Sequence, residues 1–269
     1  VVQVLLLSRT LQPLGARRYW PIYEAAAQAG LPVGIHAFGN GGNPVSSHGW
    51  PSFYIEDMVG HAQSCQAVLT SLVVEGVFAR IPALKLVLIE AGFAWLPALA
   101  WRLDRAWARL RSETPWLMRL PSDYIRAHVW LTTQPMEEPG EPAHLADTIG
   151  WIGWDRLLFA TDYPHWDYDD PATCLPLRPT EAQRQAFFMG NAREVYGEQK
   201  KAKADSHGDG EAGRREVDQM LASPRLNVKL RSSHRCLAKK ASVRSCASAA
   251  SGALKLPRSS QPKPCWAPG

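Results

Sequence analysis

No stretch of 18 consecutive apolar residues occurs in the chain, which argues against a transmembrane helix. Cysteine is scarce and odd in number: Cys65, Cys174, Cys236, Cys246 and Cys265. No two of them stand in C-x-x-C spacing, so neither a disulfide framework nor a thiolate zinc site is expected, and a reducing cytoplasm is the natural setting. The sequence lacks a G-x-S-x-G elbow, a P-loop and a G-x-G-x-x-G fingerprint. The G-N-G-G at Gly39–Gly42 follows an apolar run but has the wrong spacing, so a nucleotide site is not expected. The opening VVQVLLLSRT has neither a basic leader nor an initiator Met. It reads as a buried strand rather than a signal peptide, and the chain is expected to begin inside a longer product.

What is present divides into two parts. Through Gly197 there are 15 Lys+Arg against 19 Asp+Glu, a net charge of −4. From Glu198 onward there are 15 against 6, a net charge of +9. The overall +5 therefore belongs to the tail. That tail holds one aromatic residue, Trp266, and ten serines. It cannot bury enough apolar surface to offset a backbone ordering cost of about 1–2 kcal/mol per residue, so residues 198–269 are expected to be disordered. A nucleic-acid-binding role is disfavoured, because neither a repeat nor interleaved aromatics accompany the charge. The abrupt change of composition also fits sequence appended to a domain that ends near Gly197.

The first 197 residues alternate. Val1–Ser8, Leu31–Ala37, Leu84–Glu90, Val129–Thr133 and Leu157–Asp162 are apolar runs and read as strands, the first suited to cover on both faces. Helices are predicted over Arg18–Ala29, from Phe53 to Arg80 with a break at Gly76, along Leu96–Leu110, over Pro142–Ile152, from the Thr180/Gln183 capping box to Met189, and over Asn191–Tyr196. Alternation of this kind implies a parallel α/β sheet. Five strands suit either an open doubly wound sheet or part of a TIM (β/α)8 barrel. The tryptophans Trp95, Trp101 and Trp107 read as core packing.

In either architecture, ligands sit at the carboxyl ends of the strands. The polar residues there are Ser8, His36, Glu90, Thr133 and Asp162. An imidazole at His36 can ligate a metal or move a proton; the competing reading is a histidine bonded to a backbone carbonyl. Asp162 lies in FATDYPHWD, beside His165 and Asp167. It can bind a cation or accept a proton, or it can serve a turn or a helix N-cap. Glu90 suits a metal ligand, an acid or base, or an ion-pair partner. Thr133 can donate a hydrogen bond to substrate, and Trp95 can edge the pocket.

Taken together, LPVGIHA, VEGVFARIPALKLVLIEAGFAWLPALAWRLD, LLFATDYPHWD and MGNAREVYG resemble the amidohydrolase-2 family. This is the group containing aminocarboxymuconate semialdehyde decarboxylase and related hydrolases and decarboxylases. The resemblance implies a distorted barrel holding one divalent metal, commonly zinc, and a small-molecule substrate. By position His36 resembles the family's fifth-strand ligand and Asp162 its eighth-strand ligand. The run VVQVLLLS then resembles the fourth strand. Glu90 stands where many members carry a catalytic histidine on the sixth strand. Asp162, Glu90 and His165 are thus the implied catalytic residues, with Trp95 and Thr133 toward substrate. The family's His-x-His pair does not occur anywhere in the 269 residues. An incomplete barrel of about strands four to eight, covering residues 1–197, is therefore expected, and its own activity stays open. Two alternatives stand beside it: a non-catalytic scaffold on a degraded barrel, and nucleic-acid association through the tail. The apolar first strand would leave an open edge, which invites pairing with another copy.

Overall fold

In the computed structural model the described residues are 1–39, 44–46 and 49–197. The expectations for the tail, and for part of the Gly/Asn/Ser loop before Trp50, lie outside them. Five parallel strands follow chain order across one sheet: β1 (Val4–Arg9), β2 (Val33–Gly39), β3 (Leu86–Leu88), β4 (Val129–Thr132) and β5 (Leu157–Leu158). A doubly wound sheet reverses its strand order part-way. The sequential order here shows no such reversal, so that alternative is set aside.

The connections are helical, as right-handed parallel crossovers require. They are α1 (Trp20–Gln28), α2 (Tyr54–Val74), α3 (Val77–Arg80), α4 (Leu96–Leu110), α5 (Pro121–His128) and α6 (Pro142–Ile152). After β5 come α7 (Glu181–Gln185), a π turn over Ala186–Gly190, and α8 (Asn191–Tyr196). The predicted break falls at Gly76, whose φ of 80° no β-carbon would favour; one built there would lie 2.4 Å from the Trp116 ring. The capping box is present, with the Gln183 amide donating to Thr180 Oγ1 at 3.3 Å. Helix α5 is the element that periodicity did not anticipate.

The sheet buries its two faces differently. Val33, Ile35, Leu86, Leu88, Val129, Leu131 and Leu157 join one large core with Tyr23, Leu69, Phe78 and Ile149 of the crossover helices. Val87, Trp130 and Leu158 point the other way and pack against Val195 of α8. β1 departs from the expected two-sided cover: Leu5 and Leu7 are 53% and 41% exposed. They share the α8 side of the sheet, but β1 is the edge strand and lies beyond the cover at Val195. Trp101 departs too. It is exposed and meets Trp151 edge-on, whereas Trp95 and Trp107 pack against the core.

His128 ends α5 inside this core. It is buried, stacks on Phe78 with centroids 4.8 Å apart, and its Nδ1 lies 2.8 Å from the Leu84 carbonyl oxygen. Burial holds its pKa below the ordinary histidine value. An unfolded imidazole protonates near pH ~6.5, so below that pH the unfolded chain gains a proton that the folded chain resists. Stability contributed by neutral His128 is therefore present above pH ~6.5 and is lost as pH falls toward the depressed folded value. We expect the melting temperature of the wild type to fall more steeply between pH 7.5 and 5 than that of His128→Asn. Parallel curves would contradict this.

Candidate functional site

The carboxyl ends of the strands gather three of the predicted residues, with His36 in electrostatic reach of both Glu90 and Asp162. His36 lies on β2, Glu90 two residues past β3, and Asp162 four residues past β5. His36 Nε2 is 2.9 Å from Glu90 Oε1, and both side chains are about one-quarter exposed. Its Nδ1 is 3.0 Å from the Ala37 carbonyl oxygen. A carbonyl accepts only, so Nδ1 carries a proton. The hydrogen bond to Glu90 raises the His36 pKa, against the lowering effect of burial, and the Asp162 charge adds to the rise. The same bond lowers the Glu90 pKa. Both shifts favour the charged forms of the two partners.

Asp162 makes a second, similar pair. Its Oδ2 lies 2.6 Å from Nδ1 of His165, whose side chain is 66% exposed. Asp162, His165 and Asp167 bring their ligand atoms within 4.8 Å of one another. Tyr163, Trp166 and Tyr168 stand exposed around this turn.

Glu90 and Asp162 share an unusual backbone. Their φ values are 54° and 55°, and no other described non-glycine residue has positive φ. The left-handed region costs an L-residue roughly 1–2 kcal/mol, and such strain persists only where the surroundings fix it. Each carboxylate lies a few residues past the end of its strand, Glu90 two beyond β3 and Asp162 four beyond β5. Part of the fixing is visible: the Glu90 amide donates to Thr132 Oγ1 at 3.0 Å.

The other predicted residues fall as follows. Thr133 is wholly buried, and its hydroxyl accepts from the Ala160 amide at 3.4 Å. It ties β4 to the segment after β5 and does not face outward to a substrate; Thr132, one residue earlier, is the threonine that reaches the site. Trp95 is half-buried at the start of α4, its indole N–H donating to the Ala91 carbonyl at 2.8 Å. It walls the turn after Glu90. Ser8 is buried with its Oγ 2.9 Å from Ser64 Oγ.

Sequence reasoning missed His61. It is buried on α2, and its charge state is coupled to Glu90, His36, Asp57 and Arg9. Burial is the main effect and lowers its pKa. The signal was the run of buried Gly60, His61 and Ser64 on a helix face otherwise filled by Cys65, Val68 and Leu69. Glu137 was also missed; its Oε1 accepts from the Phe93 and Ala94 amides.

Comparison with known proteins gives the family. The family signature described as Amidohydrolase matches residues 1–197. Gamma-resorcylate decarboxylase from Polaromonas sp. (strain JS666) is 29% identical over 189 residues, which is 66% of this chain and 54% of that protein. The gamma-resorcylate decarboxylase from Rhizobium sp. (strain MTP-10005) is 30% identical over 138 residues, covering 50% of this chain and 41% of that protein. The chain thus spans about half the length of the curated relatives it matches. An amidohydrolase structure from Mycobacterium avium subsp. paratuberculosis K-10 aligns with a TM-score of 0.59 at 25% identity, over 73% of this chain and 51% of that one. A dihydroxybenzoic acid decarboxylase from Polaromonas sp. JS666, solved with bound manganese and the inhibitor 2-nitroresorcinol, aligns with a TM-score of 0.53 at 26% identity. That alignment covers 72% of this chain and 60% of the relative. With the signature running unbroken from Val1 to Gly197, and decarboxylases of the same group among its relatives, the chain belongs to the amidohydrolase-2 family.

Proposed function

We propose that His36 and Asp162 are divalent-cation ligands in a decarboxylase site for hydroxylated aromatic carboxylates, on a sheet that forms the later strands of a (β/α)8 barrel. The observation that carries this reading is the convergence of His36, Glu90 and Asp162 at the carboxyl end of one parallel sheet, both carboxylates in the left-handed conformation. The relatives named above support the reaction and the substrate class, and the sequential strand order supports the barrel.

The residues present fit a cation. The Nδ1–H of His36 is engaged by Ala37, an arrangement that fixes the ring, and a cation at Nε2 would take the place of the proton that now faces Glu90. Asp162 supplies carboxylate oxygen, and His165 and Asp167 are close enough to add donors. Imidazole and carboxylate suit zinc, the expected ion, and equally manganese, the ion in the related structure. A cation bound there supplies positive charge that polarises substrate oxygens.

Decarboxylation replaces a ring C–CO₂⁻ bond by C–H and releases CO₂, so one proton must reach the ring carbon in each turnover. The Asp162–His165 hydrogen bond holds a proton at the site, and the exposed imidazole can restock it from water. Glu90 orients His36 and adds negative charge beside the cation site. Trp95 closes the wall beside Glu90.

The test is turnover of 2,6-dihydroxybenzoate to resorcinol, followed chromatographically, in the full chain with Mn²⁺ or Zn²⁺. Product should form with metal, stop on chelation and return on re-addition. Failure with both ions, in this chain and in one carrying the coding sequence that precedes Val1, would leave a non-catalytic scaffold instead.

A further inference from the structure

The turn that carries Glu90 is held from outside by β4 and the segment that follows it. Glu90 itself is tied through its amide to Thr132. Three and four residues on, the Phe93 and Ala94 amides both donate to Oε1 of Glu137, at 2.7 and 3.0 Å. Between them and Glu90 lies Gly92, with φ 61°; a β-carbon there would stand 2.4 Å from the same carboxylate oxygen. The turn therefore closes tightly onto Glu137, and only glycine allows the approach.

Glu137 is in turn anchored to the Asp162 loop. The neighbouring Met136 amide donates to Asp169 Oδ2 at 3.1 Å. The Gln134 side-chain amide donates to the Asp167 carbonyl at 3.2 Å. The segment Gln134–Glu137 is thus bonded on one side to the turn bearing Asp162 and on the other to the turn bearing Glu90.

A carboxylate is an expensive choice for this place. Its Oε2 is buried and has no hydrogen-bond partner among the described residues, a costly condition for a charged group. Burial pushes the Glu137 pKa up, against the two amide hydrogen bonds. A cap for the first turn of α4 needs only an uncharged oxygen. Glutamate meets both amides from the β4 side with a single oxygen.

We propose that Glu137 is a positioning residue: by clamping the Phe93 and Ala94 amides it fixes the Glu90 turn in its left-handed form and so holds Glu90 against His36. This rests on the reading of the His36–Glu90 pair as part of the functional site. The clamp itself exists without metal or substrate, and it is tested in their absence.

The experiment uses the full chain uniformly labelled with ¹⁵N, observed by NMR at the Phe93 and Ala94 amides and at the His36 Nε2–H resonance, which Glu90→Gln identifies. In Glu137→Ala the Phe93 and Ala94 amides should exchange with solvent about tenfold faster. The His36 signal should move to the Glu90→Gln position or be lost. Glu137→Gln keeps an acceptor oxygen in place and should retain the signal. Ile149→Val, a remote core change, should lower the melting temperature without moving it. If Glu137→Ala does not fold, Glu137→Asp, one methylene shorter, gives the same readout. Faster amide exchange with an unmoved His36 signal would overturn the proposal and reduce Glu137 to a helix cap. An equal displacement in Ile149→Val would overturn it as well. Loss of decarboxylase turnover in the wild type would count against the catalytic reading and leave this result standing.

Discussion

Replacing Asp162 by asparagine should lower metal-dependent decarboxylation at least about a hundredfold, an increase of roughly 3 kcal/mol in the barrier, while leaving the fold intact. Two features separate the chemistry from stability here. Asparagine is nearly isosteric with aspartate and is among the few side chains that tolerate left-handed backbone, so the φ of 55° at this position is not disturbed. It lacks the negative charge that attracts a cation and the basic oxygen that takes up a proton. The side chain is only partly buried, so no large packing loss accompanies the change. The measurement is kcat/KM with Mn²⁺ alongside the melting temperature. A rate within threefold of the wild type, at matched metal occupancy, would contradict the assignment.

The second large effect is on stability. Phe187 is 1% exposed and lies in the π turn before α8. Its ring meets Trp154, Phe159 and Phe188 at centroid distances of 6.0, 5.7 and 5.0 Å. Its carbonyl accepts from the Phe159 amide at 3.3 Å, so it also supports the segment that runs from β5 to Asp162. Truncation to alanine removes the buried ring and leaves a cavity among rigid aromatics, at a cost of about 3–5 kcal/mol. Net domain stabilities are about 5–15 kcal/mol, so the variant should lose roughly a fifth or more of its resistance to urea. Exposed Met189, two residues on, should cost under about 0.5 kcal/mol when changed to alanine. Equal midpoints for the two variants would contradict the packing described.

The apolar runs and the residues that end them were legible in the sequence, because a parallel strand must be continuous and apolar and its end must turn. That is how His36, Glu90 and Asp162 could be singled out before any contact was known. Strand length was not legible. Leu84–Glu90 reads as seven apolar-rich residues, yet β3 keeps only Leu86–Leu88 in the ladder, because the chain turns left-handed at Glu90. The segment ending at Asp162 shortens to Leu157–Leu158, because the next amide, that of Phe159, leaves the ladder for the Phe187 carbonyl. Pairings between distant positions were equally hidden: no local pattern says that Glu90 meets His36, or that Glu137 reaches Phe93 and Ala94. Helix α5 escaped notice because it has eight residues, and an amide of its first turn, Ser122 N, is capped from α4 by Asp104 at 2.8 Å. Exposure of Leu5 and Leu7 depends on what lies beside β1, and composition does not encode that.

His36 and Asp162 are proposed to hold one divalent cation at the carboxyl end of the sheet. Anomalous diffraction from crystals of the chain grown with Mn²⁺ tests it most directly. A single strong peak is expected in contact with His36 Nε2 and the Asp162 carboxylate, absent from crystals of Asp162→Asn. A peak held by other residues alone, or no peak at either side chain under saturating Mn²⁺, would contradict it.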